Sequence, residues 1–424
     1  MWIDAVDGVE QLDRLDTSEK PEGNEDRCTI LRQVRVLDFS RVLSGPFCTR
    51  ILADLGAEVI KVETGAGDPT RLSPPFKGRF ASYFTQFNVG KKSIGVNLRN
   101  PKGLQLIKKL VQISHVVIEN FRPGILAKMG LGYPVLKEIN PRIILCSISG
   151  FGQTGAEANR LAFTDIVQAY SGLDDMSAKM MGPTADPPGF PASFGDNYAS
   201  LNAAIAILAA LYQCDHTGEG QAIDISMLDC LVAANDSTLQ KYIFSDGELD
   251  RADTAFRPPL RMKDGYMAVA LLYHFDRVIQ AIGRPELLQE ERFKTIGIRR
   301  KKDNFEIYLK IVREWARNTT LAEAASLFDQ YDVAYSKVNS VAEVVNSQVM
   351  GDRNMFVETN LPKYGPVRVV NTPFKFSQGP CGPQGPPPDL GEHTREVCHQ
   401  LLNLSTQEVE GLIQEGVLFS RENS

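Results

Sequence analysis

This chain has little of what several common chemistries require. Seven cysteines are scattered through 424 residues, no two closer than sixteen positions, so neither a disulfide framework nor a Cys-x-x-Cys metal knuckle is expected and a reducing compartment is. The five histidines are equally dispersed, with no His-Glu-x-x-His pair, and no metal site is expected. Cationic surplus is missing too: 46 Lys and Arg stand against 52 Asp and Glu, a formal charge of −6, which leaves no global field to hold nucleic acid. No apolar run reaches the ~20 residues a bilayer span needs. The longest, LNAAIAILAALY from Leu201 to Tyr212, reads as a buried helix, and no membrane association is expected. The N-terminal stretch, acidic throughout, lacks the apolar core of a signal peptide and the Arg-rich character of a transit peptide. It is expected to be a surface extension over residues 1–33, with the cytoplasm as the default compartment. There is also no Gly-x-Ser-x-Gly elbow and no cysteine-protease motif.

What is present is alternation. VRVLDFS, a helix ending near Gly56, and AEVIKVE make one βαβ unit over residues 34–63. KSIGVNL, a helix opened by Asn100 with Pro101 at its first position, and HVVIENF repeat it, and RIILCSIS returns the chain to the sheet. The expected fold is α/β: a large Rossmann-like domain with a parallel sheet over residues 34–240, a polar linker at 241–265, a small α+β domain at 266–340, and a return to the large domain at 341–424.

Three stretches invite a chemical reading. Gly150-Phe151-Gly152-Gln153-Thr154-Gly155 has the G-x-G-x-x-G spacing of dinucleotide sites. No apolar helix follows it, however, and Asp165 lies too close to serve as the ribose-binding acid, so a glycine loop leaving a strand is the plainer reading. VGKKS at 89–93 imitates the end of a Walker A motif, but Thr85 stands where its first glycine belongs. Lys91 and Lys92 then read as a solvated strand edge or as an anion contact. Asp196 precedes an almost wholly apolar helix, which makes it an N-cap by pattern. A carboxylate at a helix start can also be pre-positioned to attack a carbonyl, and the two roles are compatible.

The ordered segments VRVLDFSRVLSGPFCTRILADLGAEVIKVETGAGDPTR, GKKSIGVNL, VIENFRPGILAKMGLGY, INPRIILCSISGFGQTG and PPPDLGEHTREV resemble the family III (CaiB/BaiF-type) CoA-transferases from about residue 30 onward. The resemblance implies two identical chains interlocked like links, each with a Rossmann-like large domain built from both chain ends. It makes Asp196 the catalytic carboxylate, which passes through an aspartyl anhydride and an aspartyl-CoA thioester. It implies coenzyme A contacts at Leu43 and Ser44, at Val96, Asn97, Leu98 and Arg99, at Asn120, Phe121 and Arg122, and at Lys128. By spacing alone, Phe121 could equally be core, and Arg99, Arg122 and Lys128 solvated surface. No cofactor is expected to be held permanently, coenzyme A and acyl-CoA being substrates. The partners implied are an acyl-CoA donor, plausibly succinyl-CoA, and a carboxylic acid acceptor. A heteromer with a paralogous subunit is the alternative assembly. The related α-methylacyl-CoA racemases are similar across the fold but carry a histidine where this chain has Thr164, which favours transfer over two-base proton exchange. The glycine run that closes over the site in the oxalate-using branch is replaced here by RADTAFRPPLRMKDG.

Overall fold

A computed structural model describes residues 28–181, 185–235, 238–246 and 258–420. Most of the expected N-terminal extension, and residues 247–257 of the expected linker, lie outside these ranges.

Six strands run parallel: Arg35–Asp38, Glu58–Glu63, Lys92–Val96, Val116–Glu119, Ile144–Ser149 and Ala222–Ser226. Numbered along the chain they lie in the order 3-2-1-4-5-6, the doubly wound Rossmann arrangement. A seventh, Leu418–Phe419, pairs antiparallel with Lys92–Val96 and closes one edge. The inner strands Val116–Glu119 and Ile144–Ser149 are fully buried because both faces are covered. Val36, Val59, Ile118, Ile144 and Cys146 point to one side, where they pack with helices Ser44–Asp54 and Phe194–Thr217. Leu37, Ile60, Val117 and Leu145 point to the other, against helices Pro101–Gln112, Thr394–Leu402 and Thr406–Gln414. Asn100 caps its helix by accepting from the Lys102 amide at 2.9 Å, with Pro101 at the first position, where its missing N–H costs nothing.

A separate core forms between residues 260 and 335. A three-stranded antiparallel sheet (Leu260–Arg261, Tyr266–Val269, Tyr335–Lys337) packs with helices Phe275–Ala281, Lys302–Asn318 and Leu321–Gln330 around Phe275, Phe293, Tyr308 and Phe328. The Tyr308 hydroxyl donates to the Leu271 carbonyl at 3.1 Å, which satisfies its one buried polar atom.

Three sequence expectations are corrected. The helix holding Leu201–Tyr212 runs from Phe194 to Thr217 and is not buried: Ile205 is 66% and Tyr212 71% exposed, beside a half-exposed Leu201. An apolar run without polar interruption says that a helix can be buried all round, not that this chain alone buries it. Lys91 is neither solvated nor free to meet an anion, since its Nζ sits in the core 3.0 Å from Asp38 Oδ2, Asn88 Oδ1 and the Pro46 carbonyl. Finally, Cys28 and Cys381 are disulfide-paired, their Cα atoms 4.7 Å apart, although 353 positions separate them in sequence. The helices of the described residues include none long and apolar enough to cross a membrane.

Candidate active site

The strand order reverses between Arg35–Asp38 and Val116–Glu119, and open α/β sheets bind ligands in the crevice beyond the carboxyl ends of strands at such a point. Two loops emerge there, Phe39–Leu43 and Asn120–Gly124, and the first runs directly into helix Ser44–Asp54. Asn120 ties them together: its Oδ1 accepts the Arg41 amide at 2.8 Å, and its Nδ2 donates to the Arg41 carbonyl at 2.8 Å and the Ser44 hydroxyl at 3.1 Å. Gly45 is required at this entry, because a Cβ would fall onto the Ser40 side chain.

Asp196 approaches the same point from the opposite side. It is the third residue of helix Phe194–Thr217 rather than its N-cap, a position taken by Ser193. Its carboxylate accepts hydrogen bonds from the Ser44 hydroxyl and backbone N–H. Ser200 Oγ lies 2.7 Å from the carbonyls of both Ser44 and Asp196 and fixes the two helix starts together. Gly195 allows the approach to Thr164, whose Oγ1 accepts the Gly195 amide at 3.1 Å, since a Cβ there would press on Val167. Burial pushes the Asp196 carboxyl up to about 6, the two Ser44 donors pull it down, and Asp165 adds a smaller upward push. At neutral pH the group is therefore largely ionised, held by two donors at converging helix N-termini, and more basic than an ordinary aspartate.

A cavity of about 200 Å³ opens over Asp196, walled by Ser44, Phe121, Arg122, Ser149, Gly150, Arg160 and Met227 among others. Arg41 and Phe121, the guanidinium 5.4 Å from the ring centroid, separate it from a second cavity of about 180 Å³. That one is lined by Leu98, Ile125, Met129, Gly67 and the Lys61–Asp68 pair. A larger hollow, about 270 Å³ and bordered by Asn371, Lys375 and Cys381, contains none of these groups. Of the residues singled out in the sequence, Ser44, Asn120, Phe121, Arg122 and Asp196 meet at the first cavity and Leu98 reaches the second. Ser44 stands against the Asp196 carboxylate itself. Leu43 and Val96 are buried in the core, Asn97 donates from its backbone to the Val417 carbonyl, and Arg99 and Lys128 are exposed and line neither cavity. Arg41 and Arg160 were not anticipated, because isolated arginines in loops carry no pattern. Among the described residues no group of His, Cys, Asp and Glu could hold a metal ion.

The model of CoA-transferase family III matches residues 31–394. This chain belongs to that family. It is 35% identical to the succinyl-CoA:glutarate CoA-transferase of Mus musculus over 413 residues, covering 95% of this chain and 93% of that one. It is 34% identical to a succinyl-CoA–L-malate CoA-transferase alpha subunit of Chloroflexus aurantiacus over 394 residues, 90% of this chain and 91% of the other. A crystal structure of a CaiB/BaiF family protein from Brucella suis superposes with a TM-score of 0.77 at 32% identity, over 88% of this chain and 100% of that one. The chain is thus an enzyme, a CoA-transferase.

Proposed function

We propose that the enzyme moves coenzyme A from succinyl-CoA to a second dicarboxylic acid, with Asp196 as the group that carries the acyl and then the thioester. An Asp196 oxygen attacks the thioester carbonyl, the C–S bond breaks, and a mixed anhydride and CoA thiolate result. The thiolate attacks the aspartyl carbonyl, releasing succinate and leaving aspartyl-CoA. The acceptor carboxylate attacks that thioester, and the displaced thiolate then takes the acceptor's acyl group and frees Asp196. Every step exchanges one acyl bond for another, so no external energy source is needed. The observation that carries this reading is the Asp196 carboxylate, half-buried and bonded to the Ser44 hydroxyl and N–H at the wall of a cavity. The same two donors would face the oxyanion that develops on the aspartyl carbon.

The paired cavities support a ligand that threads past Arg41 and Phe121, with its nucleotide end over Leu98 and its thioester at Asp196. Arg41, Arg122 and Arg160 border the inner cavity and suit anionic ligands, the acceptor's distal carboxylate among them. The names of the relatives, which pair succinyl-CoA with glutarate or malate, favour dicarboxylates. Thr164 is engaged with the Gly195 amide and offers no base, which disfavours racemisation. For the assembly, the exposed face of helix Phe194–Thr217 supports burial against a second copy, in keeping with an interlocked homodimer.

The test is mass spectrometry of the protein after incubation with succinyl-CoA, with and without hydroxylamine. Wild type is expected to carry an adduct on Asp196, and Asp196→Ala to carry none and to lose transfer by several orders of magnitude. Full activity in that variant would overturn the mechanism.

A further inference from the structure

We infer that Lys61 and Asp68 are positioning residues for the transfer reaction: a buried ion pair that clamps the Ser40–Val42 loop and thereby aims Ser44 at Asp196. The inference rests on the reading of Asp196 as the acyl-accepting group.

Val42 has φ +68°, in the left-handed region. A β-branched residue is a rare occupant there, so surrounding contacts must hold it in place. Those contacts are found at each peptide of the loop. The Ser40 amide donates to Asp38 Oδ1 at 2.9 Å, and Lys61 Nζ donates to the Ser40 carbonyl at 2.8 Å. Asn120 takes both the N–H and the carbonyl of Arg41. The Val42 amide faces the two Asp68 oxygens at 3.3 and 3.4 Å. Asp68 is itself immobilised by the Thr70 amide at 2.9 Å, the Thr70 hydroxyl at 2.7 Å and Lys61 Nζ at 3.0 Å. Lys61 and Asp68 are each 1% exposed.

Two residues beyond Val42 the chain reaches Ser44, whose N–H direction is set by the peptide geometry before it. If Val42 relaxed to an extended conformation, the turn would open and the Ser44 donors would leave the Asp196 carboxylate. Asp38 and Lys91 support the loop from beneath, but the Val42 amide itself has only Asp68 as a partner among the described residues. The strained residue and its restraint therefore form a pair. Glycine adopts positive φ without penalty, so replacing Val42 by glycine removes the need for the clamp.

Single-turnover formation of aspartyl-CoA, read by quenching and mass spectrometry across succinyl-CoA concentrations, tests the clamp. Asp68→Ala is expected to lower the saturating rate by about a hundredfold while the concentration for half-saturation changes by no more than about threefold. Adding Val42→Gly to that variant is expected to restore the rate by about tenfold. An unchanged saturating rate in folded Asp68→Ala, a loss confined to half-saturation, or no recovery in the double variant would each overturn the inference. Should Asp68→Ala fail to fold, Lys61→Met with and without Val42→Gly gives the same comparison, since it removes the hold on the Ser40 carbonyl and on Asp68. If wild type forms no aspartyl-CoA, it is the reading of Asp196 that fails and not the clamp.

Discussion

Ser44 is the side chain through which the Asp196 carboxyl can be tuned without being removed. With Asp196 raised to about 6, acylation should fall as pH drops through that value and level off above it, because only the anion attacks. Ser44→Ala deletes the hydroxyl donor and keeps the backbone one, so the carboxyl rises further and the acid limb of the rate profile moves to higher pH. The expected loss is on the order of tenfold at pH 6 and smaller at pH 8, read from single-turnover rates. A uniform loss at all pH values would contradict the assignment. The same shift carries a stability consequence of opposite sign. Asp196 binds its proton more tightly folded than unfolded, so between its ordinary value near 3.8 and about 6 the folded state holds more protons and stability falls as pH rises. Asp196→Asn should lack this fall and melt higher than wild type at pH 8 while being inactive.

Helix Phe194–Thr217 shows how far an element can be read from its sequence. Its existence was plain from the apolar run, and its start was placed to within a few residues by the Pro- and Gly-rich loop before it. The role of Asp196 as a first-turn residue rather than a cap was not legible, since both positions suit an aspartate and only the neighbouring helix start at Ser44 decides between them. Nor could the pattern say which apolar side chains lack a partner within the chain. Tyr198, Leu201, Ile205 and Tyr212 fall at three- to seven-residue spacing along a single stripe and are exposed. An unbroken stripe of that kind marks an interface. Ile205→Glu should therefore convert the enzyme to a smaller species in sedimentation or light scattering, with lower activity, because the stripe begins at Tyr198, two residues from Asp196. An unaltered assembly in that variant would remove the stripe as an interface.

At the scale of the whole molecule, the parallel sheet was legible because each βαβ unit writes its own period and caps, whereas the strand order and long-range closure were not. The antiparallel Leu418–Phe419 edge is two residues long, and the Lys91–Asp38 and Cys28–Cys381 pairs join segments that no local pattern connects. The cysteine pair links Cys28, the first described residue, to Cys381 beside the end of helix Ser44–Asp54. The Leu31 amide donates to the Leu55 carbonyl at 2.9 Å, and the Gly382 amide to the Asp54 carbonyl at 3.0 Å. Both segments thus pack on the tail of the helix whose first residue is Ser44. Protein purified without reductant and then denatured should expose five free thiols, rising to seven after reduction. Because the loop it closes is long, the link should also raise the urea midpoint of the oxidised protein, by about 5 kcal/mol at most in stability, with the gain abolished in Cys381→Ser. Seven titratable thiols before reduction would show that the two sulfurs stay apart, and the two segments would then be held on the helix by the backbone bonds alone.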